Sequence, residues 1–510
     1  MKDDSQRTTS LWMATSEAWS APELKERTKA DVCIVGAGIA GLTTAYLLAR
    51  EGQSVIVLDD GFVGSGMSGR TTAHLTNAFD DRFTEVEKRH GEKKSRLTAE
   101  SHTAAIDRIE SIVREERIEC EFERLNGYLF VPPGESRDIL EDELKASHRA
   151  GLTDVQLIDR APLKEFDTGP TLRFPRQAQF HPLKYLSGLA TAIQRDGGRI
   201  FTKAHASAIK GGSQAYVETN NGAMVDCDAI VIATNTPVND RIAIHTKQAP
   251  YVTYVIAVQV PRDSLERALY WDTAYPYHYV RLESLAGSKK PHDVLIVGGE
   301  DHKTGQEHDA ERRYSILERW IRHRIPKIGE IECRWSGQVM EPVDYLAFIG
   351  RNPLDDDNVF IATGDSGQGM THGTIAGILL TDLIQGRQNE WESLYDPSRV
   401  TLGSAGEFAK ENLNVAAQYV DYVTPGELDS AEEVKPGDGA VVREGVSKIA
   451  VYRDLQGKLH KTSAVCTHLG CIVNWNSAEE TWDCPCHGSR FDRFGHVYQG
   501  PANSDLGTVE

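Results

Sequence analysis

Apolar and polar positions along the chain change their period several times, and each change predicts a different kind of element. From Asp31 the order is DVCIV, GAGIAG, LTTAYLLAREG and QSVIVLD. Short apolar runs flanking a glycine-rich turn and a helical pattern predict a strand–turn–helix–strand unit. Residues 81–118 are charged and helix-prone, with Ile106, Ile109 and Val113 at helical spacing. Runs rich in β-formers follow at 251–260, 277–282 and 293–298 with no helical pattern between them. They predict an antiparallel sheet beside the βαβ unit. At 359–385 a strand (VFIATG) again enters a glycine-rich turn and a helix (TIAGILLTDLI).

Between about 390 and 428 the pattern thins. YDPSR leads to a predicted helix with Phe408, Val415, Tyr419 and Tyr422 on one side, then to the turn signal TPGELDS. The remainder, 429–510, is short β-like segments separated by turns, a small β domain. A chain of 510 residues is too long for a single core, so several domains are expected.

Composition is ordinary for a globular protein, 40% hydrophobic and 26% charged. The net charge of −19, with no basic block to offset it, argues against a nucleic-acid partner. No run reaches the length of about 18 apolar residues that a membrane span needs. The first 30 residues lack a secretion signal, so a cytoplasmic enzyme is expected.

The cysteines are uneven. Cys33, Cys120, Cys227 and Cys333 are scattered and read as small buried hydrophobes. Cys466, Cys471, Cys484 and Cys486 crowd the last 50 residues. Cys466-x-His468, fifteen further residues, then Cys484-x-x-His487 gives paired Cys/His spacings that suit either zinc or an iron–sulfur cluster. The loops CTHLGC and CPCHGS each carry a Cys that a four-ligand zinc site does not need. Ser489 can hydrogen-bond a cluster sulfur, and Gly500-Pro501-Ala502 offers a covering loop. These details favour the cluster.

This stretch, about 425–510, resembles the Rieske family. The resemblance implies a [2Fe–2S] cluster with Cys466 and Cys484 on one iron and His468 and His487 on the other. It also implies a disulfide between Cys471 and Cys486, against the cytoplasmic base rate. Respiratory members usually carry Tyr two residues after the Ser. Here it is Phe491, which implies one hydrogen bond fewer and a lower potential.

Gly36-Ala37-Gly38-Ile39-Ala40-Gly41 stands between a strand and a helix, as a dinucleotide fingerprint requires. Gly36 permits the turn, Gly38 lets the backbone approach a pyrophosphate, and Gly41 lets the helix pack on the strand. Asp59, 18 residues after Gly41, can accept from ribose hydroxyls. The following GFVGSGMSGRTTAHL suits a cofactor larger than NAD.

With NVFIATGDSGQGMTHGTIAG, this resembles the FAD-dependent amine and amino-acid oxidoreductases related to D-amino-acid oxidase, glycine oxidase and sarcosine oxidase. The resemblance implies Arg70, Thr71 and Thr72 near pyrophosphate or flavin. It also implies Gly364, Asp365, Gln368, Gly369 and Met370 near the ribityl chain and ring. DAIVIATNTPVND looks like the strand that returns to the nucleotide. The family's usual Glu after the second strand is replaced here by Asp59.

The expected fold is therefore an α/β Rossmann-type FAD domain with an antiparallel substrate sheet, followed by a small all-β Rieske domain. An N-terminal extension (1–29) precedes the oxidoreductase (30–390), whose nucleotide parts are about 30–80, 180–240 and 330–390. Its substrate parts are about 81–179 and 241–329. A linker with a helix (391–424) leads to 425–510.

For catalysis the candidates are His74, Tyr254, His278, Tyr279 and Arg281. By family logic Arg281 would clamp a substrate carboxylate and His74 would face the flavin. The run GGEDH at 298–302 reads as a strand-end turn rather than a metal site. Substrate hydride would pass to FAD, then single electrons through the cluster to an external acceptor. The alternatives are a reductase fed by an external donor through the cluster, and a Rieske module serving as sensor or docking domain. A Rieske oxygenase is disfavoured, since no mononuclear-iron ligand set is evident.

Overall fold

The computed structural model describes residues 8–239, 243–284 and 291–509. Residues 1–7 of the expected N-terminal extension, and Asp240 at the end of DAIVIATNTPVND, lie outside the described residues.

Strands Val32–Val35, Val55–Leu58 and Ala229–Ile232 are buried at every position. Strands with no polar face belong inside a parallel sheet covered on both sides. Cys33 lies opposite Ile56 on one flank and Ile230 on the other, both in parallel register. The six-stranded order is 348–351, 359–363, 229–232, 32–35, 55–58, 199–201. Only the edge strand Phe348–Arg351 runs antiparallel to its neighbour.

Helices Ile39–Arg50 and Gly369–Ile384 pack against each other closely. A Cβ on Gly377 would lie 2.4 Å from the Thr43 methyl, so the small residue sets the approach. Both helices thereby point their N-termini into one crevice.

Among the described residues the expected antiparallel sheet has nine strands, and its Thr253, Tyr279 and Gly337 line the crevice. Gln248–Pro261 is flanked by His292–Lys303 and Ile331–Pro342. The strand 331–342, placed with the nucleotide part from sequence, is an edge of this sheet. Its one parallel pairing joins Leu269–Asp272 to Glu123–Phe130. Residues 298–302 are inside the strand His292–Lys303 rather than in a turn. Gly299 and Glu300 take positive φ there, and the register slips opposite Val252–Tyr254. A bulge of this kind re-aims the side chains beside it.

The linker holds helix Ala405–Gln418 and a 3₁₀ turn Tyr419–Tyr422. The Tyr419 and Tyr422 hydroxyls donate to the carbonyls of Leu469 and Gly470, which ties the linker to a loop of the last module. That module pairs strands 438–444, 447–453 and 459–463 in one sheet, and 474–476, 481–483, 490–492 and 497–499 in another. Among the described residues no helix is long and apolar enough to cross a membrane.

Candidate flavin cavity and cluster site

The crevice is an elongated cavity lined by Gly36, Gly38, Asp59, Met67–Ser68, Arg70–Thr72, His74, Thr363, Asp365 and Gln368–Met370. Gly36 sits at φ 108°, and a Cβ there would meet the Ala233 carbonyl oxygen at 2.4 Å. A Cβ on Gly41 would meet the Gly36 oxygen at 1.9 Å, so the third glycine works by helix packing and does not line the cavity. The Asp59 carboxylate accepts from the backbone N–H groups of Ala37 (2.7 Å) and Gly61 (2.8 Å). Each carboxylate oxygen has a second lone pair for a ribose hydroxyl.

Ser68, which sequence reading quoted without singling out, accepts from the Ile39 N–H at 3.0 Å at the helix start. Gln368 spends its amide N–H on the Ala78 carbonyl (2.9 Å) and leaves a buried Oε1 without a partner at the cavity wall. Burial raises the Asp365 carboxyl to about 6. A glycine cradle, a helix N-terminus and an unsatisfied amide oxygen fit an extended dinucleotide such as FAD.

Of the expected cofactor residues, Arg70 lines the cavity with its guanidinium engaged by protein groups, and Gly364 does not line it. The Arg70 guanidinium turns away from the cavity, donating to Thr8 Oγ1 (3.1 Å), Thr8 O (3.0 Å) and Ser336 O (2.9 Å), and pairing with Glu479. Gly364 is a turn glycine at φ 73° packed on Pro342 and lines no part of the cavity. Thr71 and Thr72 do line it; the Thr72 hydroxyl meets His74 Nδ1 at 3.1 Å.

Arg281 also has a different role from the one expected. It is fully buried, donates to the carbonyls of Thr72 (3.0 Å), Ala73 (3.1 Å) and Phe180 (3.2 Å), pairs with Glu283, and lies over the Trp12 ring. Those partners hold both terminal nitrogens of the guanidinium, away from the cavity lining. Arg281 instead braces the turn at Ala73, whose φ is 59°, just ahead of His74.

His74 lines the cavity with Nε2 unpartnered, and burial, followed by the Arg281 charge, lowers it to about 3. Of the other candidates, Tyr279 lines the cavity, its hydroxyl 2.9 Å from that of Thr253. Tyr254 is a core residue bonded to His302. His278 sits between Asp272 and Glu300, stacked on Trp320. Asp80 and Tyr277, bonded to each other at 3.0 Å, complete this end and were missed from sequence.

At the other site, Cys466, Cys484 and His487 are buried, and the rings of His468 and His487 stand perpendicular with centroids 5.1 Å apart. The two thiols share a hydrogen bond that lowers Cys466 and raises Cys484. His487 Nδ1 is buried without a partner, and burial lowers this ring to about 3. Two adjacent sulfurs and two converging imidazoles are the donor set of a Rieske cluster. The Cys471–Cys486 disulfide, Cα–Cα 6.4 Å, joins the two loops. Sulfur atoms of Cys471, Cys484 and Cys486 also lie close together, but the disulfide removes two of them as ligands. Ser489 hydrogen-bonds Cys466, and Phe491 is wholly buried with no hydroxyl to add.

The two sites adjoin. Tyr498–Gly500, Ala502 and Asn503 of the last module line the flavin cavity. From the same loop the Ala502 N–H donates to Ser489 Oγ at 3.0 Å. On the other side, buried His245 lies edge-on against His468 (4.7 Å) and His487 (5.8 Å). Thr236, Gln248 and Thr363 link His245 to the cavity wall by hydrogen bonds of 3.2–3.5 Å. No local motif marks His245; only the fold brings it to the cluster.

Fold and donor sets together define a flavin-dependent oxidoreductase carrying an iron–sulfur module. Residues 31–383 match the FAD dependent oxidoreductase family and residues 425–510 the Rieske [2Fe-2S] domain, and the chain belongs to that oxidoreductase family. It is 32% identical over 504 residues to YhfW of Bacillus subtilis (strain 168), whose name describes a Rieske 2Fe-2S iron-sulfur protein; the match covers 98% of this chain and 97% of that one. It is 26% identical to the gamma-glutamylputrescine oxidoreductase of Escherichia coli (strain K12), over 76% of this chain and 91% of the relative. The glycine oxidase of Geobacillus kaustophilus shares the fold, with TM-score 0.61 at 17% identity, over 73% of this chain and 99% of that one.

Proposed function

We propose that this chain is a dehydrogenase for a small amine, amino acid or related substrate, with electrons leaving singly through the Rieske cluster to an external acceptor. Bound FAD supplies hydride acceptance, and the cluster supplies one-electron transfer.

One observation carries the reading. A single loop, 498–503, has one face in the flavin cavity and the other on the cluster loop through Ala502 and Ser489. A sensor or a loosely tethered docking module would not need to wall the cavity. The E. coli relative, named for an amine substrate, supports the amine side of the reading.

The protein's own residues would act as follows. Gly36, Gly38, Ser68 and Asp59 hold the nucleotide, and Gln368 with the start of helix Gly369–Ile384 faces the ring side. Neutral His74 can accept or share a proton at Nε2. Tyr279 and Tyr277 wall the substrate end.

The test compares the wild-type enzyme with Cys484→Ala, which lacks a cluster ligand. Substrate should still bleach the flavin of the variant, while reduction of a one-electron protein acceptor such as cytochrome c falls close to zero. Equal cytochrome c reduction by both proteins would contradict the routing.

A further inference from the structure

Resting on the oxidoreductase reading, we infer that the substrate end of the cavity takes a protonated amine on a chain without an adjacent carboxylate, rather than an amino acid.

The wall there is acidic and acceptor-rich. Asp80 faces the cavity, and its Oδ2 accepts from the Tyr277 hydroxyl at 3.0 Å. Gly367, φ 71°, allows this placement, since a Cβ there would stand 2.3 Å from Asp80 Oδ2. Behind it, Asp301 is hydrogen-bonded by Thr253 and keeps a buried Oδ1 without a partner. Loss of hydration raises Asp80 to about 6 and Asp301 to about 7; for Asp301 the charges of Asp80 and Glu300 add to this, against the opposing charge of Arg313.

Gln368, at the ring side of the same cavity and one residue from Gly367, adds a further acceptor. It is 6% exposed, its amide N–H is held by the Ala78 carbonyl, and its Oε1 stays unpartnered in the same cavity. These groups accept hydrogen bonds, and an ammonium offers three.

Among the described residues the cavity wall offers no uncommitted counter-charge for a substrate carboxylate. Among the described residues Arg70 is the one Arg or Lys that lines the cavity, and its guanidinium is held by Thr8, Ser336 and Glu479. Arg281 is locked on backbone carbonyls and Glu283. A carboxylate next to Asp80 would meet a like charge, whereas an ammonium meets an opposite one.

The step balances. The α C–H bond would break with its electron pair passing as hydride to bound FAD, one ammonium proton would leave to water, and the C=N bond would form. Water then adds to the resulting iminium, releasing an aldehyde or ketone and ammonium.

The test is anaerobic flavin bleaching of the holoenzyme with butylamine and 1,4-diaminobutane against glycine and proline, repeated with Asp80→Asn and Tyr277→Phe. The amines should bleach the flavin and the amino acids should not. Asp80→Asn should raise the amine KM roughly tenfold or more while changing kcat less, the loss expected for one charge-assisted hydrogen bond. Tyr277→Phe keeps the carboxylate and should cost less; retained flavin absorbance in each variant reports an intact fold. Bleaching by the amino acids alone would overturn this inference and leave the dehydrogenase reading standing. Bleaching by none of the four would overturn both.

Discussion

Arg70 and Glu479 form an ion pair, Nη1 to Oε1 3.4 Å, with side chains 2% and 0% exposed. One belongs to the turn after the flavin-binding helix unit and the other to the Rieske module. Thr8 and Ser336 donate to the same Glu479 oxygen, at 2.5 Å each. Removing one partner of such a pair strands a buried charge, at a cost of about 3–5 kcal/mol. Arg70→Met should therefore lower the melting temperature markedly and expose the linker around 396–404 to protease. Glu479→Gln, which still accepts from Thr8 and Ser336, should do less damage. An unchanged melt for Arg70→Met would contradict the pair's role in docking.

His245→Phe keeps an aromatic ring against the cluster histidines but breaks the hydrogen-bonded link to Thr236. The variant should load its cluster, give a Rieske EPR signal with shifted g-values, and pass electrons between the two centres more slowly. Identical g-values and rates would remove His245 from the path.

Gly41→Ala brings a methyl to 1.9 Å from the Gly36 oxygen. The helix cannot seat against the turn, so FAD should be lost on gel filtration while the Rieske EPR signal remains. Gly52, whose Cβ position meets nothing within 4 Å, is the control site, although its φ of 85° still strains any side chain. Gly52→Asn, which tolerates positive φ, should retain FAD.

Burial holds His102 at about 4, and His372, its ring 4.7 Å away, well below its ordinary value. The unfolded chain protonates near pH 6.5, while the folded one resists until about pH 4. Their contribution is present above pH 6.5 and is lost as pH falls toward 4. Buried Asp81, raised to about 7, runs the other way: its penalty grows as pH climbs from about 4 to 7. The single variant is therefore the clean probe. His102→Gln should flatten the stability–pH curve below pH 6.5 by up to about 3 kcal/mol at pH 4. A curve parallel to wild type would contradict the assignment.

What the sequence makes legible is local. GAGIAG between a strand and a helix, and CTHLGC with CPCHGS, carry their chemistry within a few residues, and the fold places Gly36 and Gly38 in one cavity and the rings of His468 and His487 side by side. Arg281 went astray, and Arg70 lines the cavity with its guanidinium paired elsewhere, because a residue type and a family analogy say nothing of competing partners. Arg281 meets the Ala73 carbonyl 208 positions away, and Arg70 meets Glu479 409 positions away. The run 298–302 resembled a turn because its glycines serve a bulge within a strand. Asp80, Tyr277 and His245 had no periodic or motif signal, since only the docking of separate sheets places them. The loop 500–502 was expected to cover the cluster; that Gly500 and Ala502 also wall the flavin cavity is a property of the assembled domains.

The account's central claim is that the cluster drains the flavin inside one chain. The direct measurement is anaerobic rapid mixing of the oxidised holoenzyme with an amine substrate, following flavin absorbance and freeze-quenched Rieske EPR together. The account predicts that the EPR signal of the reduced cluster grows in behind flavin bleaching, at a rate no slower than turnover. Full flavin bleaching with an EPR-silent, oxidised cluster throughout the turnover time would contradict it.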